Sequence, residues 1–463
     1  MARREVLPRL DWGTIAVASI GIVLVIVGTF MAVAGGAAAT VVLLVAFFGL
    51  ASLMAAALQK PAVIVGLLVI ASAIQRAVAA STQDVNSLLL DDIVLVGLVI
   101  FTAQRILTSS EPRTKVLLIS VVGLLVVATA RATNLTIGVG QFRQMLVPIA
   151  LLAFGAVLTR QELRRAGPIV ILAIALGAIY GIAEQTGWRP IDPLGAHSLR
   201  ELSYSVSRDG LPNSYYYYPS NGVRIERSGG LILNPPSFGM LAATGLLWLW
   251  FTRNSRSILT VVTSVIFVAA AIFSYGRGGF VILGLAAVQP FLSRKSGKLA
   301  FLGVGVALGY VAFTEFSTDG ESARHVNGFF GGLMYAIANP LGGGFGTAGN
   351  ALSKLGIDNE SGAGESLAAI FLASIGWPGI LLIGWLLWRG IARGTELSGV
   401  ALTSAIIVSL VSETAGGLDA TGPLWILAGF ALSKAANDPG EDLREQSLGS
   451  TSIGSSKLAY SRS

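Results

Sequence analysis

Apolar runs of about 20 residues recur along nearly the whole chain, and no other feature limits its fold so tightly. In hydrocarbon every backbone N–H and C=O must be satisfied within its own segment, so a run of that length becomes a membrane-crossing helix. The runs fall near 13–34, 38–58, 61–80, 88–107, 115–133, 143–159, 168–186, 235–252, 257–275, 278–292, 298–315, 366–388, 397–414 and 421–434. The sixth and tenth are short, which gives about 12–14 transmembrane helices in an all-α, polytopic membrane protein with one helical domain over 1–436. Composition agrees: of 463 residues, 53% are hydrophobic and 12% charged, about half the charge of an ordinary soluble domain. The 56 glycines let such helices approach closely.

Several classes of function drop out. The chain has no cysteine, which removes disulfides, zinc–thiolate sites and thiol chemistry, and two histidines, His197 and His325, are too few for a His-rich metal site. A net charge of +7 fits anchoring beside anionic headgroups better than binding nucleic acid. The first run is long enough to span and lacks a signal-peptide cleavage site.

Basic connectors orient the helices. Lys60 follows the second run, Arg105, Arg113 and Lys115 the fourth, Arg160, Arg164 and Arg165 the sixth, and Arg253 and Arg256 the eighth. Arg294, Lys295 and Lys298 follow the tenth, and Arg389 and Arg393 the twelfth. With Arg3, Arg4 and Arg9 ahead of the first run, this is the positive-inside pattern with both termini cytoplasmic. Two long connectors, about 187–234 and 316–365, are thereby placed outside. The second should hold a short amphipathic helix near Arg324–Ala338, with Phe329, Phe330, Leu333 and Met334 on one side, lying at the surface and roofing a cavity. Residues 437–463 read as a disordered cytoplasmic tail.

Against this sorting, Arg227 and Arg277 fall outside, each in a Gly-rich motif beside an apolar run, and a cation kept there calls for an anionic partner. Arg227 opens a stretch that continues through Gly230 to Asn234-Pro235-Pro236, where a helix begins. A capped helix entry explains Asn234 and the prolines; a helix N-terminus and a guanidinium aimed at one phosphate would explain the rest. Arg277 lies in Ser274-Tyr-Gly-Arg-Gly-Gly279, too close to the membrane to do anything but snorkel or find a partner. Its glycines permit close approach of a ligand or of another helix. The third motif, Asn339-Pro-Leu-Gly-Gly-Gly-Phe-Gly346, is neither a P-loop nor a dinucleotide fingerprint. The fourth is Glu365-Ser366, nine residues, then Gly376-Trp-Pro-Gly379; its carboxylate is either a helix-dipole partner or a general base.

Together these motifs resemble the O-antigen polymerase and O-antigen ligase family of polytopic membrane glycosyltransferases. Arg227, Gly230, Asn234 and Pro235 match its Arg-x-x-Gly-x-x-x-Asn-Pro stretch, and Arg277-Gly278 its Ser-Arg-Gly turn, with Gly276 in place of Ser. Pro340, Leu341, Gly342, Gly344 and Gly346 fit its Pro-Leu-x-Gly-x-Gly segment, and Glu365 stands where ligases carry histidine. The likeness covers roughly 140–390 and leans toward polymerases. It implies an inverting, metal-independent transfer of glycan, without cofactor, from an undecaprenyl-pyrophosphate-linked oligosaccharide to a sugar hydroxyl of a lipid-linked acceptor. It also implies the bacterial cytoplasmic membrane, an extracytoplasmic active site, and flippase and chain-length regulator proteins as partners. Arg227 and Arg277 would clamp the pyrophosphate and Glu365 would take the acceptor proton. Arg143, Arg324, Asn234, Tyr216 and Tyr217 are further substrate-binding candidates, although an aromatic cluster such as Tyr215–Tyr218 also anchors a loop at an interface. A ligase with a lipid or protein acceptor, and a carrier of lipid-linked saccharide or small anions, are the alternative readings.

Overall fold

The computed structural model describes residues 37–108, 112–132, 134–193, 211–217, 224–252, 257–289, 321–349 and 366–433. The runs predicted at 13–34 and 298–315, and the tail at 437–463, lie outside the described residues. The described part is an all-α bundle. Its helices are α1 (Ala37–Ala57), α2 (Pro61–Thr82), α3 (Leu90–Thr108), α4 (Pro112–Ala130), α5 (Leu135–Val157), α6 (Arg160–Glu184) and α7 (Pro235–Thr252). They continue as α8 (Ile258–Phe273), α9 (Arg277–Val288), α10 (Glu321–Ala338), α11 (Leu367–Ile375), α12 (Trp377–Ala392), α13 (Leu397–Val411) and α14 (Leu418–Phe430). Among the described helices, four are long and apolar enough to cross a membrane: Pro61–Thr82, Ser87–Thr108, Ile137–Val157 and Arg160–Glu184. The apolar helices fit an integral membrane protein.

Polar side chains mark where several helices start. Asn134 accepts from the N–H of Ile137 to open α5, Thr159 and Glu162 form a capping box on α6, and Ser257 caps α8. Helices α7 and α14 form the centre, buried on nearly every side, while α1, α6 and α8 turn residues such as Val42, Leu176 and Ile258 outward. Small residues set the closest approach. A Cβ on Gly155 would lie 2.0 Å from the Ile426 carbonyl and one on Gly429 2.2 Å from that of Leu152, so α5 and α14 meet backbone to backbone.

Polar contacts sort to two ends. At one, Gln59 bonds Gln104, Arg105 pairs with Glu162 at 2.7 Å, Lys115 reaches the Leu107 carbonyl and Gln289 that of Thr395. At the other lie Arg76–Asp419, Asp92–Arg143, Gln144–Glu413 and both arginine motifs.

Three expectations change in detail. The sixth run is not short, because α5 extends over 23 residues to Val157 once Asn134 caps it. The twelfth is not continuous: Gly376, at φ 77° and ψ −141°, breaks it into α11 and α12. Both ends of α11 are tied to the Arg227 end of the bundle, Ser366 to the Ser409 carbonyl at 3.2 Å and Ser374 to the N–H of Gly344 at 3.1 Å. The amphipathic helix, α10, forms and covers α11, but with its small residues inward. Gly328, Gly332 and Ala336 are buried, and a Cβ on Gly332 would lie 2.6 Å from the Ala369 carbonyl. Phe330 and Met334 point outward, and Phe329 and Leu333 are half-buried. Close backbone packing on α11 outweighs burial of the larger apolar face.

Candidate functional site

The two arginine motifs form one unit. The N–H of Arg227 donates to the Tyr215 carbonyl at 2.8 Å and that of Ser228 to Phe273 at 3.0 Å, which lays this segment against the end of α8. The Arg227 guanidinium then donates through Nε to the Ser274 carbonyl (2.7 Å) and through its terminal nitrogens to Tyr275 (3.2 Å) and Ser214 (3.3 Å). Carbonyls at a helix C-terminus lack partners in the helix and attract cations, so part of Arg227's role is to cap α8.

Arg277 stands in the opposite electrostatic situation. It is the first residue of α9, whose cap, Gly276, supplies no side-chain acceptor. The positive end of that helix disfavours a cation and attracts an anion. Between the arginines Tyr275 adopts φ 46°, rare for a bulky residue. Its carbonyl is held by Arg227 and its ring stacks on Tyr217, centroids 5.8 Å apart and planes 13° from parallel. Burial raises the Tyr217 hydroxyl above its ordinary pKa, while Arg277 first and Arg227 second pull it back down, so both cations act on one phenol. Tyr216 is buried under the Arg224 guanidinium, 4.2 Å from its ring centroid, and anchors the short β1 (Tyr216–Tyr217) and β2 (Ile225–Glu226) ladder.

The glycines of these motifs serve packing between protein parts. Cβ atoms on Gly278 and Gly279 would lie 2.7 Å from Met240 Sδ and 2.6 Å from the Gly239 carbonyl, so α9 and α7 need them bare. The N–H groups of Gly229 and Gly230 point at an anion, as a phosphate cradle would, but the anion is the Glu184 carboxylate, at 2.9 and 2.8 Å. Glu184 is 1% exposed, and Arg189 beside it also pairs with Glu226. Asn234 begins α7, accepting weakly from Ser237 N–H at 3.4 Å. It therefore acts as a helix cap.

The third and fourth motifs meet at the helix break. Carbonyls of Ala373 and Ser374, left without helical donors by the break, accept from the N–H groups of Gly343 (2.8 Å) and Gly344 (3.1 Å), and Trp377 N–H donates to Pro340 (3.0 Å). Arg131 pins the same loop, donating to the carbonyls of Leu341 (2.7 Å) and Gly342 (2.9 Å). Gln141 holds its far side through Gly346 N–H and the Ala348 carbonyl. The last turns of α13 link this assembly to the arginines: Gly278 packs on Val408, and the Ser366 hydroxyl donates to the Ser409 carbonyl.

Glu365 and the side chain of Arg324 lie outside the described residues, although Ser366 and the backbone of α10 are described. Arg143 pairs with Asp92 through Nε at 3.0 Å and a terminal nitrogen at 2.5 Å, on a helix other than those of the arginine pair. Arg227, Arg277 and Tyr217 are brought together; Asn234 serves the helix start beside them. Sequence reasoning passed over Arg131, Gln141, Glu184 and Asp419. Arg131 carried a usable signal, since it too is an arginine at the non-basic end of a run. Comparison with protein-family models, with curated proteins and with solved structures finds no match.

Proposed function

We propose that the chain is a membrane glycosyltransferase that lengthens polysaccharide repeat units on the extracytoplasmic face. The donor would be a glycan on undecaprenyl pyrophosphate, and the acceptor a sugar hydroxyl of a second lipid-linked unit. The observation that carries this reading is Arg277 at the uncapped start of α9, with the Arg227 guanidinium on the carbonyl two residues before it. One diphosphate there would meet two guanidiniums, the first N–H groups of α9 and the Tyr217 phenol. In the reaction the acceptor oxygen attacks the anomeric carbon and the carbon–oxygen bond to phosphate breaks. The electron pair leaves on the pyrophosphate, whose growing charge the arginines stabilise, and the hydroxyl proton passes to Glu365, the residue before Ser366. The positive-inside alternation supports an outside position for this end, and the resemblance across four ordered motifs supports the substrate class.

The test is elongation by purified protein supplied with lipid-pyrophosphate oligosaccharide in a chelator. Longer lipid-linked products are expected from the wild type and about 10²–10³-fold less from Arg277→Lys, because lysine lacks the bidentate fork. Equal product from both would remove the reading. A carrier function has one observation in its favour, the helix broken at Gly376, since carriers bind their cargo at such breaks. Uptake of lipid-linked saccharide into proteoliposomes without elongation would select it.

A further inference from the structure

Between the Arg227 ends of α2, α3 and α14 lies a buried ionic cluster that the proposed transfer does not use. Arg76 of α2 pairs with Asp419 of α14 at 2.7 Å, their side chains 9% and 10% exposed. Beside them Gln75 donates through Nε2 to Asp91 of α3 at 2.7 Å, and both residues are more than nine-tenths buried. Asp92, next in the chain, is taken by Arg143 of α5. Helix α1, which packs along α3, carries no ionisable residue. Among the described residues three carboxylates here share two guanidiniums, and the one polar bond to Asp91 comes from a neutral amide. Among the described residues the buried oxygens Asp91 Oδ1, Gln75 Oε1 and Ser72 Oγ, the last one turn earlier on α2, have no hydrogen-bond partner. An uncompensated carboxylate in such surroundings is strongly disfavoured. Unpartnered buried oxygens on residues beside one excess negative charge suit a small cation.

We infer that Asp91, with Gln75 and Ser72, holds one monovalent cation, a proton or a sodium ion, inside the bundle. The site does not depend on the glycosyltransferase reading. An ionisable group buried between membrane helices that exchanges a cation makes the protein's stability, and the placement of α14 through Asp419–Arg76, responsive to the ion outside.

The experiment uses the purified full chain in detergent. In one arm the melting temperature is followed as sodium replaces choline at constant ionic strength and pH; in the other, the infrared stretch of a protonated carboxyl is followed as pH rises. A saturable rise in melting temperature with sodium, lost in Asp91→Asn, identifies the sodium form of the site. A protonated-carboxyl band that disappears on alkalinisation, and is missing from Asp91→Asn, identifies the proton form. Wild-type protein that shows neither response overturns the inference even if the variant fails to fold. So does a folded Asp91→Asn that keeps either response in full.

Discussion

Arg227 and Arg131 do the same thing in different places. Each reaches from one segment to two consecutive backbone carbonyls of another, Arg227 to Ser274 and Tyr275, Arg131 to Leu341 and Gly342. Each thereby fixes a glycine-containing turn at the same end of the bundle. The difference lies in what surrounds them. Arg227 shares its turn with Arg277, a left-handed Tyr275 and the Tyr217 phenol; Arg131 ties down a loop of glycines whose N–H groups serve the broken helix. An arginine at a Gly-rich turn on this side is thus explained by carbonyls alone. What sets Arg277 apart is its place as the first residue of a helix, at the positive end.

The largest expected effect separates the two regions by activity. Arg277→Lys should lower elongation by about 10²–10³-fold with little change in melting temperature, in line with loss of one donor to a developing anion. If melting temperature falls in step with activity, Arg277 is structural as well and the contrast fails. Next comes Gly376→Ala at the break. Its φ of 77° belongs to glycine, and the new Cβ would lie 2.3 Å from the Pro340 carbonyl, so a stability loss of at least about 1–3 kcal/mol is expected in denaturant unfolding. Arg131→Lys gives up the fork to Leu341 and Gly342 and should cost about 1–2 kcal/mol by the same measurement. Glu184→Gln keeps an acceptor for Gly229 and Gly230 but loses its charge, an effect of about 1 kcal/mol on stability. Arg143→Ala is the smallest, about 0–1 kcal/mol, because that side chain is 55% exposed.

Helix positions were legible because lipid leaves the backbone few choices, and because connector charge alternates whatever the helices pack against. The start of α7 could be read from Asn234-Pro235. The break at Gly376 could not, since an apolar run that includes one glycine looks the same whether or not its neighbour supplies a carbonyl at Pro340. The inward face of α10 misled for a related reason: period-based reading rewards Phe and Leu, whereas close packing on α11 selects Gly328 and Gly332. In the candidate site the arginines were found by their sidedness. Glu184 was not assigned to the Gly229–Gly230 cradle, because the 45 residues separating them hide that a carboxylate of the protein fills it.

Binding of undecaprenyl pyrophosphate and undecaprenyl monophosphate to the purified protein is the most direct measurement of whether Arg227 and Arg277 hold one diphosphate. The account predicts that wild type and Arg131→Lys favour the diphosphate at least about tenfold, a difference of about 1.4 kcal/mol, and that Arg277→Lys loses the preference. An Arg277→Lys protein that still discriminates like the wild type would contradict it.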